Sequence, residues 1–238
     1  MLERIAAAVC PDIEPLVVEI GAGRGALTAH LLPRCRKLVA VELDAPLAAH
    51  LRGKFAGAPH LEVLCADVLA ADLAQWGEAV FAGNLPYYIT SPIVERILAL
   101  GPLAGRAVFL VQREVANRLT ASPGGRDYGF LTVQTRFLAR AEQLFSVPAA
   151  AFHPPPKVES AVVRLTPQPR AGDLGISRPG RFLEFAACCF RHKRKTLRNN
   201  LSARYPREMV DALPEGGRRA EQLSLEELAA VYKRLELP

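Results

Sequence analysis

Five short apolar runs dominate the first half of the sequence: LVVEI (16–20), KLVAVELD (37–44), LEVLCAD (61–67), AVFAGN (79–84) and RAVFLVQ (106–112). Helix-like stretches separate them, and REVANRLTA follows the fifth run as a helix. Strands that alternate with helices predict βαβ units and a parallel sheet. Near-continuous apolar strands suit a sheet covered on both faces. After this half the pattern loosens. SPGGRDY (122–128) reads as a flexible loop, and GFLTVQTRFLARAEQLFSV (129–147) fits neither helix nor strand cleanly. AVVRLTP (161–167) is a further strand, and TPQPRAGDLGISRPG (166–180) is a Pro- and Gly-rich linker with helical sequence beyond it. The expected organisation is an α/β domain over 1–170 and a small helical domain over 178–238.

The turn after the first run carries the first chemical signal. In VEIGAGRGALT (18–28), Gly21, Gly23 and Gly25 allow a tight turn and close backbone approach to a ligand. A helix is expected from about Ala26. Dinucleotide sites place a pyrophosphate at such a turn. Here Glu19 precedes the glycines, and an acid would repel a pyrophosphate and suit a cationic amino group. Glu42, followed by Leu43, ends the second run, where a carboxylate can accept from ribose hydroxyls. Asp67 ends the third, able to accept from an adenine amino group, with Val68 free to pack on the ring. Taken singly, each acid is an ordinary helix cap or solvated loop charge. Three acids at three successive strand ends describe a pocket for a nucleoside with a positively charged tail. S-adenosylmethionine, with S-adenosylhomocysteine as product, has that shape.

FAGNLPYYITSP (81–92) sits at the end of the fourth run. Asn84 offers one acceptor and two donors, and Pro86 stiffens the backbone that aims the Leu85 carbonyl. Asn84 Oδ1 and the Leu85 carbonyl together can accept both hydrogens of an adenine N6 amino group, with Tyr87 stacked on the base. Base–aromatic stacking is worth about 1–3 kcal/mol. Tyr88 is expected to pack in the interior. A sulfonium methyl is already activated, so in-line transfer is a positioning task and no metal is expected. A base within a duplex cannot enter such a pocket, so the target must be unpaired or flipped out.

These motifs resemble the KsgA/Erm ribosomal RNA adenine N6-methyltransferases. VEIGAGRGALT, VAVELD, CADVL, GNLPYYITSPIV, VQREVANRLTA, DYGFLTVQ, FHPPPKVESAVVRL and CCFRHKRKTLRNNL match in the family's order. The resemblance covers nearly the whole sequence and is greatest to the KsgA branch. It implies a Rossmann-like S-adenosylmethionine-dependent methyltransferase domain with a small C-terminal helical domain. It further implies dimethylation of two adjacent adenosines in the 3′-terminal hairpin of small-subunit (16S) rRNA. By resemblance, Gly21, Glu42, Asp67 and Asn84 bind the cofactor or line the active site, and Tyr87 stacks on the target adenine. Family members usually begin with a segment containing QNFL that folds over the cofactor. The sequence starts at MLERIAAAV without that motif, which is expected to bear on cofactor affinity. Two alternatives stand beside this reading: an Erm-like enzyme of large-subunit rRNA, and a non-catalytic small-subunit assembly factor.

In AFHPPPKVES (151–160) three prolines impose a rigid extended segment. Phe152 is expected to close the pocket opposite Tyr87, while His153 is expected to have no catalytic part. FLEFAACCFRHKRKTLRNNL (182–201) reads as one amphipathic helix, with Leu183, Phe190 and Leu197 on one stripe. Arg191, Lys195 and Arg198 share another face, bordered by Arg194, and are expected to meet RNA phosphates. Ser224 and Glu227 form a capping box for a last helix. Of the net charge of +6, the segment from Arg181 onward holds +4, from 12 Lys or Arg against 8 Asp or Glu. The five cysteines (10, 35, 65, 188, 189) show no CxxC or metal-ligand spacing and fit reduced, buried thiols. No apolar run is long enough to span a membrane and no secretory signal is evident, so a cytoplasmic protein is expected, as is a monomer; the resemblance implies small-subunit rRNA as its partner.

Overall fold

The computed structural model describes residues 1–152 and 155–236, so His153 lies outside the described residues. The chain folds into two compact units, one of residues 1–116 and 140–167, the other of 117–139 and 168–238.

The first unit is built on a sheet. Its strands are β1 (Glu14–Ile20), β2 (Cys35–Glu42), β3 (Leu61–Cys65), β4 (Val80–Asn84), β5 (Arg106–Gln112), β6 (Ala139–Val147) and β7 (Ser160–Pro167). They lie in the order β3-β2-β1-β4-β5-β7-β6. The five expected runs form the parallel part, β3 through β5. The sheet is mixed rather than wholly parallel, because β7 runs antiparallel to β5, with Gln112 opposite Ser160. α1 (Leu2–Val9) precedes β1, and α2 (Thr28–Leu31), α3 (Ala45–Lys54) and α4 (Thr90–Ala99) run between the strands. The helix expected from Ala26 is only the one-turn α2. In α1 the face of Ile5, Ala6 and Val9 is buried against Val17, Leu38, Val80 and Val108. The i, i+4 spacing of Ile5 and Val9 is what lets one helix face cover the sheet.

α5 (Arg113–Thr120) follows β5, as its sequence indicates. The undecided segment resolves into α6 (Phe130–Leu138) running straight into β6. Residues 117–139 therefore belong to the second unit, which departs from the expected division at 170–178. The reason is packing: Val133 and Phe137 join the core built by Phe182, Phe185, Leu228 and Tyr232. Phe137 and Phe182 have ring centroids 4.6 Å apart, and Phe182 meets Tyr232 edge-on at 5.5 Å. Gln168 and Arg170 also donate backbone hydrogen bonds to Leu138 and Phe137, tying the linker to α6.

The remaining helices are α7 (Pro179–Cys189), α8 (Leu197–Leu201), α9 (Arg207–Asp211) and α10 (Leu225–Glu236). The capping box forms as expected: Ser224 N–H donates to Glu227 Oε2 at 2.8 Å and Glu227 N–H to Ser224 Oγ at 3.2 Å. The single amphipathic helix over 182–201 does not form, since α7 ends at Cys189 and the chain turns before α8. Five consecutive cationic or ionisable residues (191–195) put like charges at helical neighbours, which disfavours helix there. The buried stripe of α7 is Phe182, Phe185, Ala186 and Cys189; Leu183 and Phe190 of the expected stripe are only half-buried, whereas Leu197 is buried as expected. All five cysteines are free; Cys65 is exposed rather than buried. Among the described residues, no helix is long and apolar enough to cross a membrane.

Candidate active site

The strand order reverses between β1 and β4, so the crevice at their carboxyl ends is where an open α/β sheet receives a ligand. Close approach of these two strands dictates a glycine. A Cβ on Gly83 would collide with the Ile20 carbonyl oxygen. Next along, Gly21 leaves β1 with φ of +69° and donates its N–H to the Val41 carbonyl at 2.9 Å. A Cβ there would come within 3.8 Å of the Asn84 carbonyl and of Pro86. Gly23 and Gly25 also have positive φ, of 56° and 76°. Non-glycine residues pay a steric cost in that region, so the three glycines are required by the turn itself.

Glu42, at the end of β2, holds this turn from the side. Its Oε2 accepts Gly23 N–H at 2.7 Å and its Oε1 accepts Asp44 N–H at 3.0 Å. Each oxygen keeps a further acceptor position. Asp67 lies two residues beyond β3; its Oδ1 accepts Leu69 N–H at 2.8 Å and the side chain is exposed. Gly21, Glu42, Leu43, Asp67, Val68 and Pro86 all line one cleft of about 570 Å³. Leu43 is 62% exposed at its edge. The volume, the spare carboxylate acceptors and the apolar Leu43–Val68 wall together fit a nucleoside-sized ligand.

Glu19 takes a different position from the open carboxylate its sequence suggests. It is 2% exposed, does not line the cleft, and its Oε2 accepts Thr28 Oγ1–H at 2.6 Å. Burial pushes its pKa up to about 8, the Thr28 hydrogen bond opposes that rise, and the Glu42 charge adds to it. The group is therefore largely protonated at neutral pH and fixes the start of α2 to β1. Gly23 is likewise not among the cleft-lining residues; its N–H is held by Glu42.

Asn84 is the last residue of β4, exposed, and its carboxamide has no hydrogen-bond partner among the described residues. Leu85 is anchored: its side chain is buried and its N–H donates to the Leu110 carbonyl at 3.0 Å. Pro86, at φ −59°, starts a turn whose carbonyl accepts Ile89 N–H at 3.2 Å and Thr90 Oγ1–H at 3.0 Å. The two tyrosines separate, but not as expected. Tyr87 is half-buried, with its hydroxyl 3.1 Å from Ser160 Oγ on β7. Tyr88 is not packed inside; it is 81% exposed and lines the cleft. Phe152 packs against the α1-side core; neither it nor Asn84, Leu85 or Tyr87 is among the residues that line the cleft, which Pro86 and Tyr88 reach from the same segment. Thr28 and Ser160 carry no local mark in the sequence, being ordinary hydroxyl residues whose partners lie 9 and 73 positions away, and Tyr88 takes a cleft position in place of the interior one expected of it.

In the second unit, Arg191, Arg194 and Lys195 are exposed in the turn between α7 and α8. Arg198, on α8, is ion-paired with Asp211 at 3.1 Å.

A sequence profile of the ribosomal RNA adenine dimethylases matches residues 1–237. The chain belongs to this family. Among the dimethylase relatives, it is 47% identical over 230 residues to ribosomal RNA small subunit methyltransferase A of Acidobacterium capsulatum, covering 92% of this chain and 81% of that one. It is 40% identical to the protein of the same name from Koribacter versatilis, covering 92% and 84%. Among solved structures, the 23S rRNA methyltransferase ErmE superposes with a TM-score of 0.73 at 32% identity, covering 99% and 96%. A dimethyladenosine transferase from Plasmodium falciparum shares the fold with a TM-score of 0.80 at 23% identity, covering 97% and 93%. The Rossmann-like methyltransferase architecture and the helical C-terminal region are thus those of the dimethylase family.

Proposed function

We propose that this protein dimethylates N6 of two adjacent adenosines in the 3′-terminal hairpin of small-subunit rRNA, using S-adenosylmethionine. The observation that carries the reading is one cleft at the β1/β4 switch point, walled by Glu42 and Asp67, in a chain matched end to end by the dimethylase profile. When bound, the cofactor supplies a methyl group already activated on sulfonium. Glu42 would accept from the ribose hydroxyls with the positions its backbone bonds leave open, and Asp67 from the adenine amino group. Leu43 and Val68 would flank the ring.

For the target base, Asn84 Oδ1 and the Leu85 carbonyl would accept the two N6 hydrogens. That favours a more tetrahedral, nucleophilic nitrogen. Tyr87 would stack on the base, its ring steadied by the Ser160 hydroxyl. Once methylated, the nitrogen is cationic and acidic, so its proton passes to water without a dedicated base; an amide such as Asn84 cannot serve as one at neutral pH. The target must be unpaired to reach this site. The basic turn after α7 would contact RNA phosphates. A monomer acting in the cytoplasm, where small subunits assemble, is the setting this function implies. The large-subunit alternative has less support: relatives at 40–47% identity carry the small-subunit name, against 32% for ErmE.

Transfer of tritiated methyl groups to undermethylated small subunits tests the reading. The wild-type protein is expected to label them and to leave free large-subunit rRNA unlabelled. Asn84→Ala should lower transfer by at least about a hundredfold, the scale for one missing polar group at a reacting centre. Near-normal transfer by a folded Asn84→Ala protein would refute the assigned role.

A further inference from the structure

The sequence places five cationic or ionisable residues in a row at 191–195, and the structure puts them in a turn hydrogen-bonded to one buried amide. Asn200 is 2% exposed. Its Nδ2 donates to the Cys189 carbonyl at 2.8 Å and to the His192 carbonyl at 3.2 Å. Its Oδ1 accepts His192 N–H at 3.1 Å. Both N–H donors and the carbonyl oxygen of the carboxamide are engaged, on backbone atoms either side of Phe190 and Arg191. An apolar side chain of similar size would fill the same core space without desolvating an amide. Only an amide can accept one backbone N–H and donate to two carbonyls at once. Asn200 therefore does more than fill space: it ends α7 by satisfying a terminal carbonyl and folds the chain back toward α8.

A second tie extends the basic surface. Lys193 Nζ donates to the Arg126 carbonyl at 2.8 Å, and Gly124 N–H donates to the Glu221 carbonyl at 2.7 Å. The 122–128 loop, a plain flexible loop by composition, is thereby fastened beside the turn. Arg126, Arg191, Arg194 and Lys195 are all exposed, and none has an ion-pair partner among the described residues. Arg198 differs, since Asp211 partly neutralises it.

Resting on the RNA-methyltransferase reading above, we propose that Asn200 is a positioning residue for RNA. It preshapes the 190–196 turn so that Arg191, Arg194 and Lys195, with Arg126 from the neighbouring loop, form one phosphate-docking surface. A preshaped turn loses less freedom on binding than a loose one, so removing the amide weakens docking without touching a phosphate directly.

The full-length protein is assayed on undermethylated small subunits, with Lys195→Ala as the direct-contact control. Asn200→Ala is expected to raise KM for small subunits about tenfold, with kcat within about twofold and S-adenosylmethionine affinity unchanged. The slope of log Kd for RNA against log salt should fall by about one to three units, near one for each phosphate no longer engaged. Lys195→Ala should lower it by about one unit, and the effect of the double variant should be smaller than the sum of the two. Asn200→Asp preserves volume but removes both N–H donations, and it should act in the same direction if the alanine variant does not fold. Folded Asn200 variants with unchanged KM and slope, beside a Lys195→Ala that does weaken binding, would overturn the positioning role alone. So would a fall in kcat at constant slope, or loss of cooperative unfolding in both variants, which would make Asn200 a core residue only. If wild-type binding shows no salt dependence and Lys195→Ala changes nothing, the RNA-docking reading itself fails.

Discussion

The adenine-stacking role proposed for Tyr87 depends on a residue far away in sequence. Its phenol is tethered to Ser160, which is fully buried, so the ring has one favoured setting before any base arrives. A single hydrogen bond is worth about 1 kcal/mol, which corresponds to about fivefold in rate when it orients a stacking platform. Ser160→Ala is expected to lower kcat for methyl transfer about fivefold while leaving cofactor affinity unchanged. Steady-state kinetics with isothermal titration of S-adenosylmethionine checks both halves. Gly83 shows the same dependence on tertiary structure. Its φ is ordinary, yet the Ile20 carbonyl leaves no room for a Cβ. The motif GNLPYY therefore begins with glycine for reasons that lie on a neighbouring strand.

At the scale of elements, the glycine turn is one unit with its two glutamates. Glu42 holds it from β2 through Gly23, and Glu19 ties β1 to α2 through Thr28. The Glu19 carboxyl is raised from 4.5 to about 8 by burial. The folded state therefore binds more protons than the unfolded state between those values. Its contribution to stability is fully present below about pH 4.5 and is lost as pH rises through about 8. Glu19→Gln keeps an acceptor for Thr28 and removes the titration. The ligand-free variant is expected to show a flatter decline of stability between about pH 5 and 8 than wild type, measured by denaturant unfolding at a series of pH values. The turn after α7 carries a parallel lesson. Seven-residue spacing suggested a continuous helix over 182–201, but a run of like charges and the Asn200 amide divide it.

For the whole molecule, ligand linkage offers the broadest test. A ligand that binds only the folded state stabilises it by about 2.7 kcal/mol at a hundredfold excess over Kd. S-adenosylmethionine should raise the unfolding midpoint accordingly, and Glu42→Ala should abolish most of that rise at the same concentration. A wild-type midpoint indifferent to cofactor would leave the cleft without its proposed occupant. The positive charge matters at this scale too. With +4 of the +6 held from Arg181 onward, the helical segment carries most of the attraction for a polyanion, so binding to small subunits should weaken as salt rises.

The five parallel strands, the glycine turn and the family were all legible in the amino-acid sequence alone. Each is written in local signals: apolar runs of strand length, glycines where φ is positive, and contiguous motifs such as NLPYYI. The acids Glu42 and Asp67 were legible as strand-end residues, and both line the cleft. The folded chain was needed to show that Glu19 is buried on Thr28, that Tyr88 faces the cleft, and that 117–139 packs with the helical unit. It alone turned a basic helix face into a turn closed by Asn200. Those outcomes rest on partners distant in sequence and on which apolar surface covers which, and neither is encoded in the local period of the chain.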